Sequence, residues 1–189
     1  MLNSGYFSQV EALMPESLRE IDKIVDSLLE CINSEGTIWI IGNGGSASTA
    51  DHFEVDLSYV RLTHEPITVK ARSLCANSAL ITAIGNDIGY EKVYAHQLLR
   101  NARSGDLCFA ISASGNSPNL VEAFNTCTDK SVKKIALLGF DGGDLLDLAD
   151  ESILIKSEIG LFGPVEDVHL SICHFIASVI KNKLFEATK

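Results

Sequence analysis

The sequence predicts a doubly wound α/β domain built on a five-stranded parallel sheet, and three observations carry that expectation. Apolar runs at 37–41, 107–111 and 133–139 lack polar alternation, as strands buried on both faces of a parallel sheet do. Segments of helical periodicity separate them, which under the right-handed crossover rule makes neighbouring strands parallel. Two of the runs open directly into glycine- and serine-rich turns that lead into helices.

Taken in order, residues 6–33 place Val10, Leu13, Leu18, Ile21, Ile24, Val25, Leu28, Leu29 and Ile32 at helical intervals. Pro15 and Glu16 start a second helix after a break. Residues 1–34 are read as an N-terminal helical segment, either an oligomer interface or a plain amphipathic cover, and 35–189 as a single structural unit. A strand follows at 37–41, then a turn with Gly42, Gly44 and Gly45, then a helix from Ser46 or Ser48. Further on come a strand within 66–74, a helix capped by Asn77 and ending at Gly85, a turn holding Asn86 and Asp87, and a helical pattern over 90–103. The second loop, Ser112 to Ser117, precedes a helix with Pro118 at its first position, where its missing N–H costs nothing. Strands at 133–139 and 151–155, a short helix over 141–148 and a last helix over 164–185 complete the chain.

If the strands take the flavodoxin-like order 2-1-3-4-5, the first and third are neighbours at the switch point where open α/β sheets bind ligands. The two glycine-serine loops follow those two strands. Glycine permits close backbone approach, and the unpaired N–H groups of a helix's first turn attract anions. A serine-rich loop can wrap a phosphate with hydroxyls and backbone donors. Each loop alone also reads as an ordinary strand-turn-helix connection. Neither GxGxxG nor GxxxxGK[ST] occurs, which argues against dinucleotide and P-loop nucleotide sites.

Composition narrows the class. A chain of 189 residues can bury a full core as one domain. The net charge of −10, with no basic run, repels phosphodiester backbones and makes nucleic acid an unfavourable direct partner. Cys31, Cys75, Cys108, Cys127 and Cys173 are scattered, with no CxxC pair, as core thiols in a reducing compartment would be. No apolar run reaches membrane-spanning length. These features point to a cytoplasmic protein.

Titratable groups cluster on two helical stretches. His52 and Asp56 are four apart and share a face. Glu166 and His174 differ by about 80° around a helix and can look toward one site two turns long. Two histidines and two carboxylates suit a divalent ion such as zinc; solvated helix neighbours are the alternative. His169 reads as structural, and His64 and His96 have no partner at ligand spacing.

The successive motifs GNGGSAS…DHF, LITAIGNDIGYE, ISASGNSPNL, LLGFDGGDL and VEDVHLSICH resemble, in order and spacing, those of the phosphoheptose isomerases of the sugar isomerase (SIS) family. The resemblance implies a three-layer α/β/α sandwich, assembled as a homotetramer with active sites between subunits. It implies conversion of sedoheptulose 7-phosphate to D-glycero-D-manno-heptose 7-phosphate, a step toward the heptose of lipopolysaccharide, with no nucleotide cofactor. Phosphate-binding positions fall on Ser112, Ala113, Ser114 and Ser117, and sugar-contacting ones on Asn43, Gly44, Gly45, Ser46, Asn86, Asp87 and Glu166. Catalytic positions fall on Asp56, Glu166 and His174, and zinc-binding ones on His52, Asp56, Glu166 and His174. Moving a carbonyl from C2 to C1 needs a base at C1 and a partner for the oxygens. A carboxylate, Asp56 or Glu166, and the His174 imidazole match those roles.

The chain departs from the family pattern at three positions: Asp56 stands for glutamate, Glu166 for glutamine and Ala113 for threonine. The other readings are an isomerase of a different phosphosugar, and a non-catalytic SIS protein of the phosphosugar-sensing or replication-initiator-associating kind.

Overall fold

The computed structural model describes residues 5–15, 19–59 and 69–186. Its elements run α1 (Gly5–Leu13), α2 (Arg19–Asn33), β1 (Thr37–Gly42), α3 (Gly45–Ser58), β2 (Lys70–Ser73), α4 (Ser78–Asp87), a 3-10 turn (Tyr90–Lys92), α5 (Ala95–Asn101), β3 (Leu107–Ser112), α6 (Pro118–Asp129), β4 (Lys133–Phe140), α7 (Gly143–Leu148), β5 (Glu151–Lys156) and α8 (Phe162–Glu186). The five strands form one parallel sheet in the order β2-β1-β3-β4-β5. The expected order is therefore the observed one, with β1 beside β3. The beginning of the predicted 66–74 strand and His64 lie outside the described residues.

Alternate strand residues feed two cores. Ile38, Ile40, Phe109, Ile111, Ile135, Leu137, Ile153 and Ile155 pack with α2, α3 and α8 on one face. Ile41, Cys108, Ala110, Ala136 and Leu138 pack with α5 and α6 on the other. Burying an aliphatic side chain of this size contributes about 1.5–3 kcal/mol before entropy is counted, so the central strands fix the frame. At the end of the sheet away from the loops, buried Asp106 accepts from the Thr37 amide and the Trp39 indole at 2.9 Å and the Arg103 amide at 3.0 Å, tying β1 to β3.

Within the 1–34 segment the two helices differ. Ile21, Ile24, Val25, Leu28 and Ile32 of α2 belong to the same core as the sheet. By contrast α1 has no buried residue, and Phe7 is 78% exposed. Tyr6 ties α1 to α8 by donating its hydroxyl to Asp167 at 2.7 Å. Sequence and structure also differ at Asn86 and Asp87, which close the last turn of α4 rather than a separate turn, because Gly85 continues the helix and Ile88 caps it.

Candidate functional site

Both ligand-type loops open at the same edge of the sheet. The first leaves β1 at Gly42 and enters α3 at Gly45 through Gly44, whose φ of 55° suits glycine. The second runs from Ala113 to Ser117 after β3, with Pro118 opening α6. Ser112 Oγ accepts from the Gly115 amide at 3.0 Å, which closes the loop and leaves the serine's own O–H to donate. Ser114 and Ser117 are half-buried at its rim, and Ser117 sits at the N-cap position without a side-chain capping bond, so its hydroxyl is uncommitted. Ala113 is buried with Phe140 and Val165 in a small apolar cluster, so at this position only backbone groups can face a ligand. The loop is braced from behind: Leu145 N–H donates to the Gly115 carbonyl at 3.0 Å and Asp144 N–H to Asn116 Oδ1 at 2.9 Å.

The second half of the site lies along α3 and α8, which pack side by side. His52 Nε2 and His174 Nε2 approach to 3.1 Å. Asp56 Oδ1 stands 3.6 Å from His52 Nε2 and its Oδ2 3.6 Å from His174 Nε2. Among the described residues these three form the one group of histidine, cysteine or carboxylate ligand atoms gathered closely enough to hold a metal ion. A tetrahedral ion bound at about 2.0–2.1 Å requires ligand atoms roughly 3.3 Å apart; the two imidazole nitrogens are close to that, and the Asp56 carboxylate presents a different oxygen to each of them. Asp56 Oδ2 is buried and has no hydrogen-bond partner among the described residues, a state a cation would relieve. The donor set fits a divalent ion.

Glu166 is not brought into this group. Eight residues along a helix amount to about 12 Å of rise, so while His174 faces His52, Glu166 lies at the loop end of α3. There a Cβ on Gly45 would come within 2.3 Å of its Oε2. Partial burial, with Asp167 nearby, raises the Glu166 carboxyl above its ordinary pKa. Asn86 and Asp87 are exposed, joined to each other by a 2.7 Å hydrogen bond, and among the described residues neither bonds to either loop.

Sequence reasoning did not single out Asn119, Tyr90 or Tyr94, although Asn119 and Tyr90 fall within the ISASGNSPNL and LITAIGNDIGYE motifs. The Asn119 carboxamide pairs reciprocally with that of Asn43, Tyr90 donates its hydroxyl to Asn43 Oδ1 at 3.2 Å, and Tyr94 donates to the Gly42 carbonyl. No local motif links positions so far apart in the chain.

A parallel sheet with paired hydroxyl-rich loops at its switch point and a histidine-carboxylate cluster along the adjoining helices defines a SIS domain, and the SIS domain family model matches residues 5–139. The phosphoheptose isomerase of Laribacter hongkongensis is 35% identical over 161 residues, covering 85% of this chain and 82% of that protein. The Helicobacter pylori P12 phosphoheptose isomerase is 34% identical over 184 residues, 96% and 94% of the two chains. Among solved structures, the phosphoheptose isomerase of Neisseria gonorrhoeae superposes with a TM-score of 0.84 at 27% identity, covering 95% of this chain and 94% of that one. The chain belongs to the phosphoheptose isomerase family within the SIS domain proteins.

Proposed function

We propose that this protein is an aldose-ketose isomerase that interconverts sedoheptulose 7-phosphate and D-glycero-D-manno-heptose 7-phosphate through an enediol. The observation that carries the reading is the convergence of His52, Asp56 and His174 two helical turns from a pair of loops suited to a phosphorylated sugar. In this reading Ser112, Ser114 and Ser117, with backbone donors of the same loop, take the phosphate. Gly44, Gly45 and Ser46 offer backbone groups to the sugar. Asp56 takes the C1 proton and returns it to C2, and His174 exchanges protons with O1 and O2. Glu166, a carboxyl of raised pKa at the loop end, faces the sugar between the two halves.

The metal is zinc, held by His52, Asp56 and His174. When bound, zinc supplies Lewis-acid polarisation of the carbonyl. Exposed Phe7 on α1, and Val55, Tyr59 and Phe175 beside the histidine cluster, support a homotetramer with the 1–34 segment at its interface and sites completed between subunits. Among the described residues no helix is long and apolar enough to cross a membrane, and the proposed location is the cytoplasm, where the product feeds heptose synthesis for lipopolysaccharide.

The test is direct. Purified protein with zinc interconverts the two heptose phosphates, and His174→Ala lowers kcat by about 10²–10⁴-fold. Calorimetry with zinc alone detects binding that His52→Ala removes. No turnover of sedoheptulose 7-phosphate, with turnover of another ketose phosphate, transfers the assignment to that sugar. No turnover of either, with capture of a replication initiator, makes the protein a non-catalytic SIS module.

A further inference from the structure

We propose that Asn119 is a positioning residue, whose carboxamide clasps that of Asn43 and so couples the loop after β1 to the loop after β3. The inference rests on the isomerase reading above and assigns a role to a side chain outside its binding and acid-base groups.

Asn119 lies in the first turn of α6, one residue after Pro118, and is 1% exposed. Its Nδ2 donates to Asn43 Oδ1 at 2.8 Å, and its Oδ1 accepts from Asn43 Nδ2 at 2.9 Å. Two antiparallel N–H···O bonds between planar amides form a ring that neither side chain can leave without losing both. The clasp does not act alone. Tyr90, from the 3-10 turn, donates to Asn43 Oδ1 at 3.2 Å, while the buried Tyr94 hydroxyl donates to the Gly42 carbonyl. Three segments of the chain therefore meet on the first two residues of one short loop.

A donor and acceptor count gives the consequence. A carboxamide oxygen has two lone pairs, and both on Asn43 are engaged, by Asn119 and Tyr90. One Asn43 N–H is spent on Asn119, leaving a single N–H for a ligand. Asn43 therefore has no acceptor for a sugar hydroxyl. Its side chain holds the backbone of Gly44, Gly45 and Ser46 in place. The β1-β3 register, with Gly42 opposite Ile111, fixes the roots of the two loops. The clasp fixes them relative to each other beyond the sheet, where no ladder bond reaches. A phosphate seated in the Ser112–Ser117 loop thereby sets where the sugar lies relative to the other loop.

This role separates two measurements that a purely structural role would move together. In Asn119→Asp the shape is kept but the donor is lost, and a carboxylate oxygen faces Asn43 Oδ1. In Asn119→Leu both bonds are lost. For the full chain with zinc, kcat toward sedoheptulose 7-phosphate falls on the order of 10- to 100-fold in both variants. Competitive inhibition by inorganic phosphate, which needs only the serine loop, stays within about twofold, as for contacts outside the perturbed network. Tyr90→Phe, at an exposed tyrosine, gives a smaller loss of kcat in the same direction and carries the test where a buried variant fails to fold. Asn43→Leu combined with Asn119→Leu is no worse than Asn43→Leu alone, the non-additivity expected of one shared interaction.

Unchanged kcat in the Asn119 variants overturns the proposal, as does a parallel loss of kcat and phosphate inhibition. If the wild type is inert, the isomerase reading falls by itself. The clasp is then read by calorimetry, as the affinity for sedoheptulose 7-phosphate relative to that for inorganic phosphate. A ratio lowered about tenfold by Asn119→Asp supports the coupling, and an unchanged ratio overturns it.

Discussion

Gly45 and Glu166 illustrate how a single missing Cβ can hold a site open. Any side chain at 45 would meet the Glu166 carboxylate, with Cβ 2.3 Å from Oε2 and 2.7 Å from Cδ. Because the obstacle is the end of a flexible side chain, Gly45→Ala displaces Glu166 rather than the fold. The expected outcome is a melting temperature close to wild type and a kcat lowered about 10- to 100-fold, since misplacement by 1 Å costs that much; steady-state kinetics beside a thermal melt checks it. An unchanged kcat would remove Glu166 from the site. At residue scale the sequence marked side chains that the fold places along α3, α8 and the two loops, but it did not show how far apart they lie. The helical angle put Glu166 and His174 on related faces, but about 12 Å of axial rise separates them, and α3 meets one at each end. For Asn43 the sequence marked the residue while hiding its use, because its partner Asn119 is 76 positions away.

At the scale of elements, the serine loop depends on α7. The φ of Gly115 is 65°, and a Cβ there would fall 1.8 Å from the Gly142 carbonyl oxygen. Neither atom belongs to a flexible side chain, so the loop and the start of α7 cannot both stay in place. Gly115→Ala is therefore expected to destabilise the protein by at least about 2 kcal/mol, combining left-handed strain with the clash, and to abolish inhibition by inorganic phosphate. Urea unfolding and an inhibition assay read the two effects. The central strands were legible because burial on both faces leaves unbroken apolar runs, six of six residues buried in β3. The strand β2 was less so: it is an edge strand, and Lys70 and Arg72 alternate with Ala71 and Ser73. Helix starts were visible at Asn77, which accepts from the Leu80 amide at 3.0 Å. The end of α4 was misjudged because a glycine that reads as a stop is carried through the helix.

For the molecule as a whole, one buried base contributes a defined share of the response to acid. His169 is fully buried on α8, its ring nitrogens make no hydrogen bond of normal geometry among the described residues, and burial lowers its pKa to about 4, partly offset by the Leu138 backbone. The unfolded chain binds that proton near pH 6.5 and the folded chain near 4. Stability from this group is therefore complete above about 6.5 and is lost as pH falls toward 4, at up to about 1.4 kcal/mol per pH unit. The expected outcome is a free energy of unfolding that drops across that window, with a shallower slope in His169→Met. Denaturant titrations at several pH values measure it. The sequence identified His169 as structural, but its lack of well-formed hydrogen bonds follows from tertiary packing alone.

The spacing between the first loop and the histidine cluster also acts as a gauge of chain length. His52 follows Gly44 by eight residues along α3, about 12 Å of rise. A three-carbon ketose phosphate held at the loop end of the site would stop short of the imidazoles, whereas a seven-carbon chain can bridge the gap. Selectivity for long sugars would then come from the pitch of one helix, with no need for a side chain that recognises the extra carbons. Dihydroxyacetone phosphate should give no turnover above background even at saturating concentration, and measurable turnover would show that the two ends of the site close on each other during the reaction.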